Sequence, residues 1–294
     1  GRNKLGVPIL IGAENRVKEQ LKKIGLDENY KIEIVNSTDK AKREKYVKHL
    51  YKKLQREGQL ERDVDRLVRN DRIAWGSSMI ACNDADAMVT GNIRHYAASI
   101  EKLKKVVDAR PGEEIFGMTM IVSKGKTILV ADTNVTELPS AERLINISKS
   151  CVRIARLFGF EPKVAFLSHS TFGKPLSRNT RHVRDAIEKL KKEKVDFDFD
   201  GEMQPDVALN PIYQEIYPFS KIVGNANILI MPALHSAAIS TKLMKVFGGG
   251  KLIGPLLIGL GSPIEVAPLR ASTSEILNLA SIAAYSSDVI DYSN

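Results

Sequence analysis

The sequence predicts an α/β protein built on parallel-rich sheets. First, the opening 35 residues read strand, helix, strand. Val7 to Ile11 is an apolar run closed by Gly12. Glu14 to Ile24 puts Val17, Leu21 and Ile24 on one helical face before Gly25, and Ile32, Ile34 and Val35 form a second strand. Such a unit within about 30 residues implies parallel pairing. Second, short apolar runs keep alternating with amphipathic stretches to the end of the chain. Third, 294 residues, 43% hydrophobic and 27% charged, suffice for one large domain or two smaller ones with a sizeable core.

The remaining elements follow in order. Thr38 or Asp39 caps a helix running through Leu54. Its basic residues Lys42, Arg43, Lys45, Lys48, Lys52 and Lys53 read as a solvated face, with nucleic-acid binding as the competing reading. A helix starts at Glu61, another covers Ile73 to Asn83, and the strand Ala87 to Thr90 turns out through Gly91-Asn92-Ile93-Arg94. Ligands gather at the carboxyl ends of parallel strands, so Arg94 stands where an anion would meet it, unless it is an ordinary surface arginine. Ile100 to Val107 is helical and Pro111-Gly112 is a break. Gly117 to Val122 and Thr127 to Ala131 form a hairpin across Lys124-Gly125. Asp132-Thr133-Asn134 then lines a cleft or makes a turn. Ser140 caps a helix to Phe158, with Gly159 past its end.

The strand Lys163 to Leu167 runs into Ser168-His169-Ser170-Thr171-Phe172-Gly173-Lys174, ahead of a helix from about Asn179 to Lys194. These hydroxyls, Lys174 and the N–H groups of the following helix suit a phosphate or carboxylate. A triad through His169 is the weaker reading, because neighbours on one loop seldom give nucleophile, base and orienter the needed geometry. Asp200-Gly201-Glu202 reads as an acidic turn, its carboxylates serving as general bases, metal ligands or turn makers. Gly224-Asn225-Ala226-Asn227 precedes the strand Ile228 to Met231, and His235 to Phe247 is helical. Gly248-Gly249-Gly250-Lys251 and the apolar segment through Leu257 follow, a glycine-dense stretch that serves as a loop joining a helix to a buried strand or as the wall of a phosphate site, although it is neither a Walker A nor a GxGxxG pattern. Ser272 or Thr273 caps the last helix, which reaches Tyr285.

Composition narrows the function classes. No run approaches the roughly 18 apolar residues of a membrane span, and no secretory signal is read at the N-terminus, so a cytoplasmic protein is expected. Cys82 and Cys151 match no metal spacing and read as buried free thiols. The formal charge of +9, from 44 basic and 35 acidic residues, favours a polyanionic partner. The 17 aromatics do not interleave with a basic stripe, so a nucleotide-like anion such as coenzyme A fits as well as nucleic acid. No metal-ligand spacing emerges.

Several segments jointly resemble the phosphotransacetylase (phosphate acetyl/butyryltransferase) family, in the family's order: Ala87 to Gly91, Ala131 to Val135, Glu161 to Ser170, Asp200 to Leu209, Gly224 to Pro232 and Ile253 to Leu260. The finer resemblance is to the phosphotransacetylase-like C-terminal domain of bacterial multidomain NADP-dependent malic enzymes. It rests on Ser168-His169-Ser170 with Phe172-Gly173, on Asp200-Gly201-Glu202-Met203 and on the triple glycine. The resemblance implies a two-domain fold like isocitrate and isopropylmalate dehydrogenases, with residues 1–118 plus 255–294 in one domain, 119–254 in the other, and a cleft between them. An excised domain is expected, NADP and the divalent metal belonging to an absent upstream catalytic portion.

The resemblance also implies which residues carry acyl transfer in the family: a Ser-Arg pair after the final strand, an Asp and an upstream Arg. Here the pair falls on Pro268 and Leu269, the Asp on Glu275 and the upstream Arg on Glu101, with Arg270 one position out of register. Loss of one transition-state donor costs about 3 kcal/mol, so losing three groups removes useful turnover. The expectation is a catalytically silent relative that binds acetyl-CoA as an allosteric effector and builds a homodimer or larger oligomer. The alternative is an active phosphate acetyltransferase using a shifted Arg270. Candidate acyl-CoA or phosphate contacts are Ser168, Ser170, Lys174, Asn225 and Arg270.

Overall fold

A computed structural model of the chain describes residues 6–26, 31–176 and 178–290, excepting the side chain of residue 179. Two compact units emerge, one from the chain up to Asp108 together with the chain from Leu260, the other from Ala109–Gly259. The first unit begins with β1 (Ile9–Ile11), α1 (Glu14–Lys23), β2 (Glu33–Val35), α2 (Lys40–Leu54), α3 (Glu61–Asn70), α4 (Arg72–Ala81), β3 (Met88–Gly91) and α5 (Tyr96–Val106). The second holds β4 (Phe116–Ser123), β5 (Lys126–Ala131), α6 (Ala141–Leu157), β6 (Lys163–Leu167), α7 (Arg181–Lys192), β7 (Asp198–Met203), α8 (Pro205–Leu209), β8 (Ile228–Ile230), α9 (Leu234–Phe247) and β9 (Lys251–Ile258). β10 (Ile264–Ala267) and α10 (Thr273–Val289) complete the first unit.

In the first unit β1 pairs with β2 and β10 with β3, both parallel. Asp39 caps α2 by accepting the Lys42 N–H at 3.1 Å. The helix buries Tyr46, Val47, Leu50 and Leu54, and the Tyr46 ring meets Trp75 of α4 edge-on at 5.0 Å. Its opposite face is the basic one. Three of the six basic residues are neutralised, Arg43 by Asp65, Lys45 by Asp84 and Lys53 by Asp108. That is the arrangement of a solvated amphipathic helix.

The second unit is a six-stranded sheet ordered β7-β6-β8-β5-β4-β9. β7, β6, β8 and β5 run parallel, whereas β4 is antiparallel to both β5 and β9. The parallel strands read as continuous apolar runs because both faces are covered. Val164, Ala165, Phe166 and Leu167 of β6 are all buried, as are Ile228, Leu229 and Ile230 of β8. Ser140 caps α6 by accepting the Arg143 N–H at 3.2 Å.

Two readings need correcting, and one strand escaped the sequence. Asp200-Gly201-Glu202 is not a turn but part of β7, paired in parallel with β6. A Cβ at Gly201 would lie 2.6 Å from the Phe166 carbonyl oxygen, so glycine marks a close strand approach there. The short strand β10 was not legible, since Glu265 interrupts its apolar run and prolines flank it. The proposed boundaries at 118 and 255 fall inside β4 and β9, strands that pair with each other, and the two units divide at 108/109 and 259/260 instead.

Candidate functional site

In the second unit, β6, β7 and β8 present their carboxyl ends on one edge of the sheet, and the Ser168 loop leaves from the middle of it. Ser170 Oγ donates to Glu202 Oε1 at 2.7 Å. A hydroxyl has one proton, so in the 3.1 Å contact between Ser168 Oγ and Ser170 Oγ it is Ser168 that donates. Arg184 Nη1 of α7 spans both Glu202 oxygens at 3.1 and 3.2 Å and reaches Thr180 Oγ1 at 3.1 Å. The Glu202 side chain is 0% exposed and Arg184 23%. A carboxylate taken out of water this completely is tolerable only with such partners.

The loop is pinned from three further directions. Phe172 N–H donates to the Glu202 carbonyl at 2.7 Å, Gln204 Nε2 to the His169 carbonyl at 2.6 Å, and Gln204 N–H to Thr171 Oγ1 at 3.2 Å. His169 is exposed, and among the described residues its imidazole hydrogen-bonds to nothing. Ser170 faces a carboxylate rather than a base, so no triad forms. Both hydroxyl protons are committed inside the network. Chemically the cluster is a rigid buried bracket that fixes the loop, and its serines have only lone pairs left to offer.

The other candidates spread out. Lys174 is exposed in the turn bridged to Thr171. Asn225 is exposed before the amino end of β8, and the neighbouring Asn227 accepts from the Lys163 N–H at the start of β6. Asn225 therefore sits at the opposite end of the parallel strands from Ser168 and does not join it. Asp132 follows β5 and is buried, accepting backbone N–H groups from Gly117, Asn134, Val135 and Thr136 at 2.7 to 3.1 Å. That is a structural turn. Burial pushes the Cys151 thiol well above its usual range and raises that of the half-buried Cys82, so both are protonated free thiols of low reactivity.

In the first unit the carboxyl ends of β3 and β10 lie side by side. A Cβ at Gly91 would come 2.3 Å from the Ala267 carbonyl oxygen, which requires glycine. Asn92 N–H donates to that oxygen at 3.1 Å, and Arg270 N–H donates to the Asn92 carbonyl at 3.0 Å. Asn92 Oδ1 is shielded from solvent and accepts no hydrogen bond among the described residues. Arg270 has a left-handed backbone with φ of 58° and an exposed side chain. Pro268 is half-buried and Leu269 exposed beside it.

Glu275 lies on the first turn of α10. Its Oε2 accepts both the Ser272 N–H and the Ser272 hydroxyl at 2.8 Å, while Ser272 Oγ accepts the Glu275 N–H at 3.3 Å, a complete capping box. Glu101 is exposed on α5. Arg94 does meet an anion, the protein's own Asp71, 3.1 Å away and shared with Lys102. Burial raises the Asp71 carboxyl, but hydrogen bonds from Lys102, Arg94 and the Ile73 N–H outweigh it and hold the group below the usual range.

Sequence reasoning named Glu202 but not its partner Arg184. The signal was available: Arg184 falls between Val183 and Ile187 on the stripe that α7 buries, where a charged residue needs an internal counter-ion. Among the described residues no group of three His, Cys, Asp or Glu side chains is placed to hold a metal ion, and no helix is long and apolar enough to cross a membrane.

Comparison with known proteins adds the following. The profile described as phosphate acetyl/butaryl transferase matches residues 2–284. An NADP-dependent malic enzyme of Rhizobium meliloti (strain 1021) is 43% identical over 96% of this chain, which spans only 37% of that protein's length. A phosphate acetyltransferase of Clostridium acetobutylicum is 30% identical over 93% of this chain and 84% of its own length. Among solved structures, a phosphotransacetylase from Streptococcus pyogenes superposes with a TM-score of 0.86 at 27% identity, over 96% of this chain and 86% of the other.

Proposed function

The chain belongs to the phosphate acetyl/butaryl transferase family, and from that premise we propose that it is the regulatory and oligomerisation domain of an NADP-dependent malic enzyme. On this reading it is a catalytically silent relative that binds acetyl-CoA as an allosteric effector. The family relationship supports the isocitrate and isopropylmalate dehydrogenase-like fold expected from the sequence, and a cytoplasmic location goes with the reading. NADP and a divalent metal then belong to the remaining length of such enzymes, not to this chain. An effector coupling of about 1–3 kcal/mol suffices for regulation.

The state of the loop after β10 carries this reading. Where the family resemblance calls for a hydroxyl and a guanidinium, Pro268 and Leu269 supply neither a side-chain hydrogen-bond donor nor a charge. Where it calls for a carboxylate able to take a proton, Glu275 is engaged as a helix cap. Arg270 alone cannot replace the set, because a phosphate clamp, an oxyanion donor and a base are separate tasks.

Support for oligomerisation comes from α9. It buries only Ala237 and Thr241 within the second unit and leaves Ile239, Leu243, Val246 and Phe247 exposed. A contiguous apolar face of that kind marks an interaction surface.

The test is acyl transfer between acetyl phosphate and coenzyme A, followed as thioester formation at high protein concentration. No turnover above the uncatalysed rate is expected. Turnover that disappears in Arg270→Ala would establish the active acetyltransferase instead.

A further inference from the structure

β7 is an edge strand, and along it lies an open cavity of about 360 Å³ contained wholly within the second unit. Phe172, Phe199 and Phe219 supply its apolar walls. Lys191 and Lys221 bring positive charge, and neither ammonium has a carboxylate within ion-pair distance among the described residues. Asp198, Asp200 and Gly201 of β7 complete the lining. We propose that this cavity binds a purine nucleotide. With the nucleotide end of acetyl-CoA as occupant the inference deepens the effector reading above; with a free nucleotide it stands apart from it.

Each part of the lining matches one part of that ligand. Aromatic faces take a planar base by stacking, at little cost in ordering. Two lysines without a carboxylate partner among the described residues take phosphate oxygens as charge-assisted hydrogen-bond acceptors. Carboxylates accept from ribose hydroxyls and from the exocyclic amino group of a base, which explains both signs of charge in one cavity. The volume falls within the range of small-molecule sites. An added peptide strand fits less well, because Asp198 and Asp200 place charges along the edge it would have to pair with, a device that discourages strand addition.

Phe172 is built for the role. Its φ of 48° puts a bulky side chain in the left-handed region, an outlier that persists only where the surroundings enforce it and that clusters at ligand sites. Here the enforcement is the 2.7 Å hydrogen bond to the Glu202 carbonyl together with ring contacts to Phe219 at 4.8 Å and Tyr217 at 5.2 Å. An occupant of the cavity therefore touches a ring whose backbone is tied to the residue at the centre of the Ser170–Glu202–Arg184 network.

Two sources carry this chemistry: the nucleotide end of a coenzyme A thioester, and a free nucleotide. Calorimetric titration of the 294-residue chain with adenosine bisphosphate (the nucleotide end of coenzyme A), ATP and acetyl-CoA separates them. The variants are Lys191→Glu combined with Lys221→Glu, and Phe219→Ala, all at exposed positions. Melting midpoints matching the unsubstituted chain establish that both variants fold. Saturable binding of a nucleotide, weakened about tenfold or more in each variant, supports the proposal. Acetyl-CoA weakened in parallel identifies the thioester as the source, whereas acetyl-CoA unaffected while ATP weakens identifies a free nucleotide. No nucleotide binding at millimolar concentration, or affinities unchanged in both variants, overturns it.

Discussion

Glu202 has none of its side chain in contact with water, and among the described residues Arg184 and Ser170 are the side chains its carboxylate oxygens meet. Replacing it by Gln keeps the shape but removes the carboxylate that the mostly buried Arg184 guanidinium spans. Removing one partner of a buried pair costs about 3 kcal/mol or more, so Glu202→Gln is expected to lower the urea midpoint by an amount equivalent to about 3 kcal/mol. A change under about 0.5 kcal/mol would mean that the network does not hold the loop. The serines show where reading residues from sequence stops. Their position at a strand's carboxyl end was legible from the apolar run before them, and so was a polar function. That their protons point inward was not, because the acceptor lies 32 residues away on another strand.

At the scale of elements, local signals were read well and non-local ones poorly. The caps Asp39, Ser140 and Ser272 are chemistry between residues three apart, and each is formed. β7 and β10 exist through pairing with β6 and β3, and nothing in their own sequences announces it. The capping box on α10 matters most for function, since it decides what Glu275 does. Ser272→Ala should cost about 1 kcal/mol of stability, the usual loss for an N-cap hydroxyl. Glu275→Gln keeps an oxygen able to accept the same hydrogen bonds and should cost less, without altering any acyl transfer. Chemical denaturation of the two variants beside the acyl-transfer assay checks both statements. Transfer lost specifically in Glu275→Gln would make the residue a base after all.

At the scale of the molecule, the second unit is a parallel-rich sheet closed by an antiparallel hairpin and β9, and the first is the shorter-stranded partner to which the chain returns. The strand–helix alternation made the fold class legible. The unit boundaries were less so, because the apolar strand after the triple glycine carries no sign in its own sequence that β4 is its partner. The exposed apolar face of α9 leads to a further expectation. Leu243→Asp with Val246→Asp should convert a dimer or larger assembly into monomers in sedimentation velocity, with the far-ultraviolet spectrum retained. Both side chains are already exposed, so the substitutions leave the core untouched. A monomeric unsubstituted chain would remove oligomerisation from its role.

The central claim, an effector domain without chemistry, is tested most directly by injecting acetyl-CoA into the chain in phosphate buffer and following the heat. Heat that saturates with mole ratio and then stops is the predicted result, a site filled and no bond broken. Sustained heat whose rate scales with protein concentration would show that acetyl transfer to phosphate survives Pro268 and Leu269. An injection with no heat of binding, at several temperatures, would show that the chain does not take up acetyl-CoA at all.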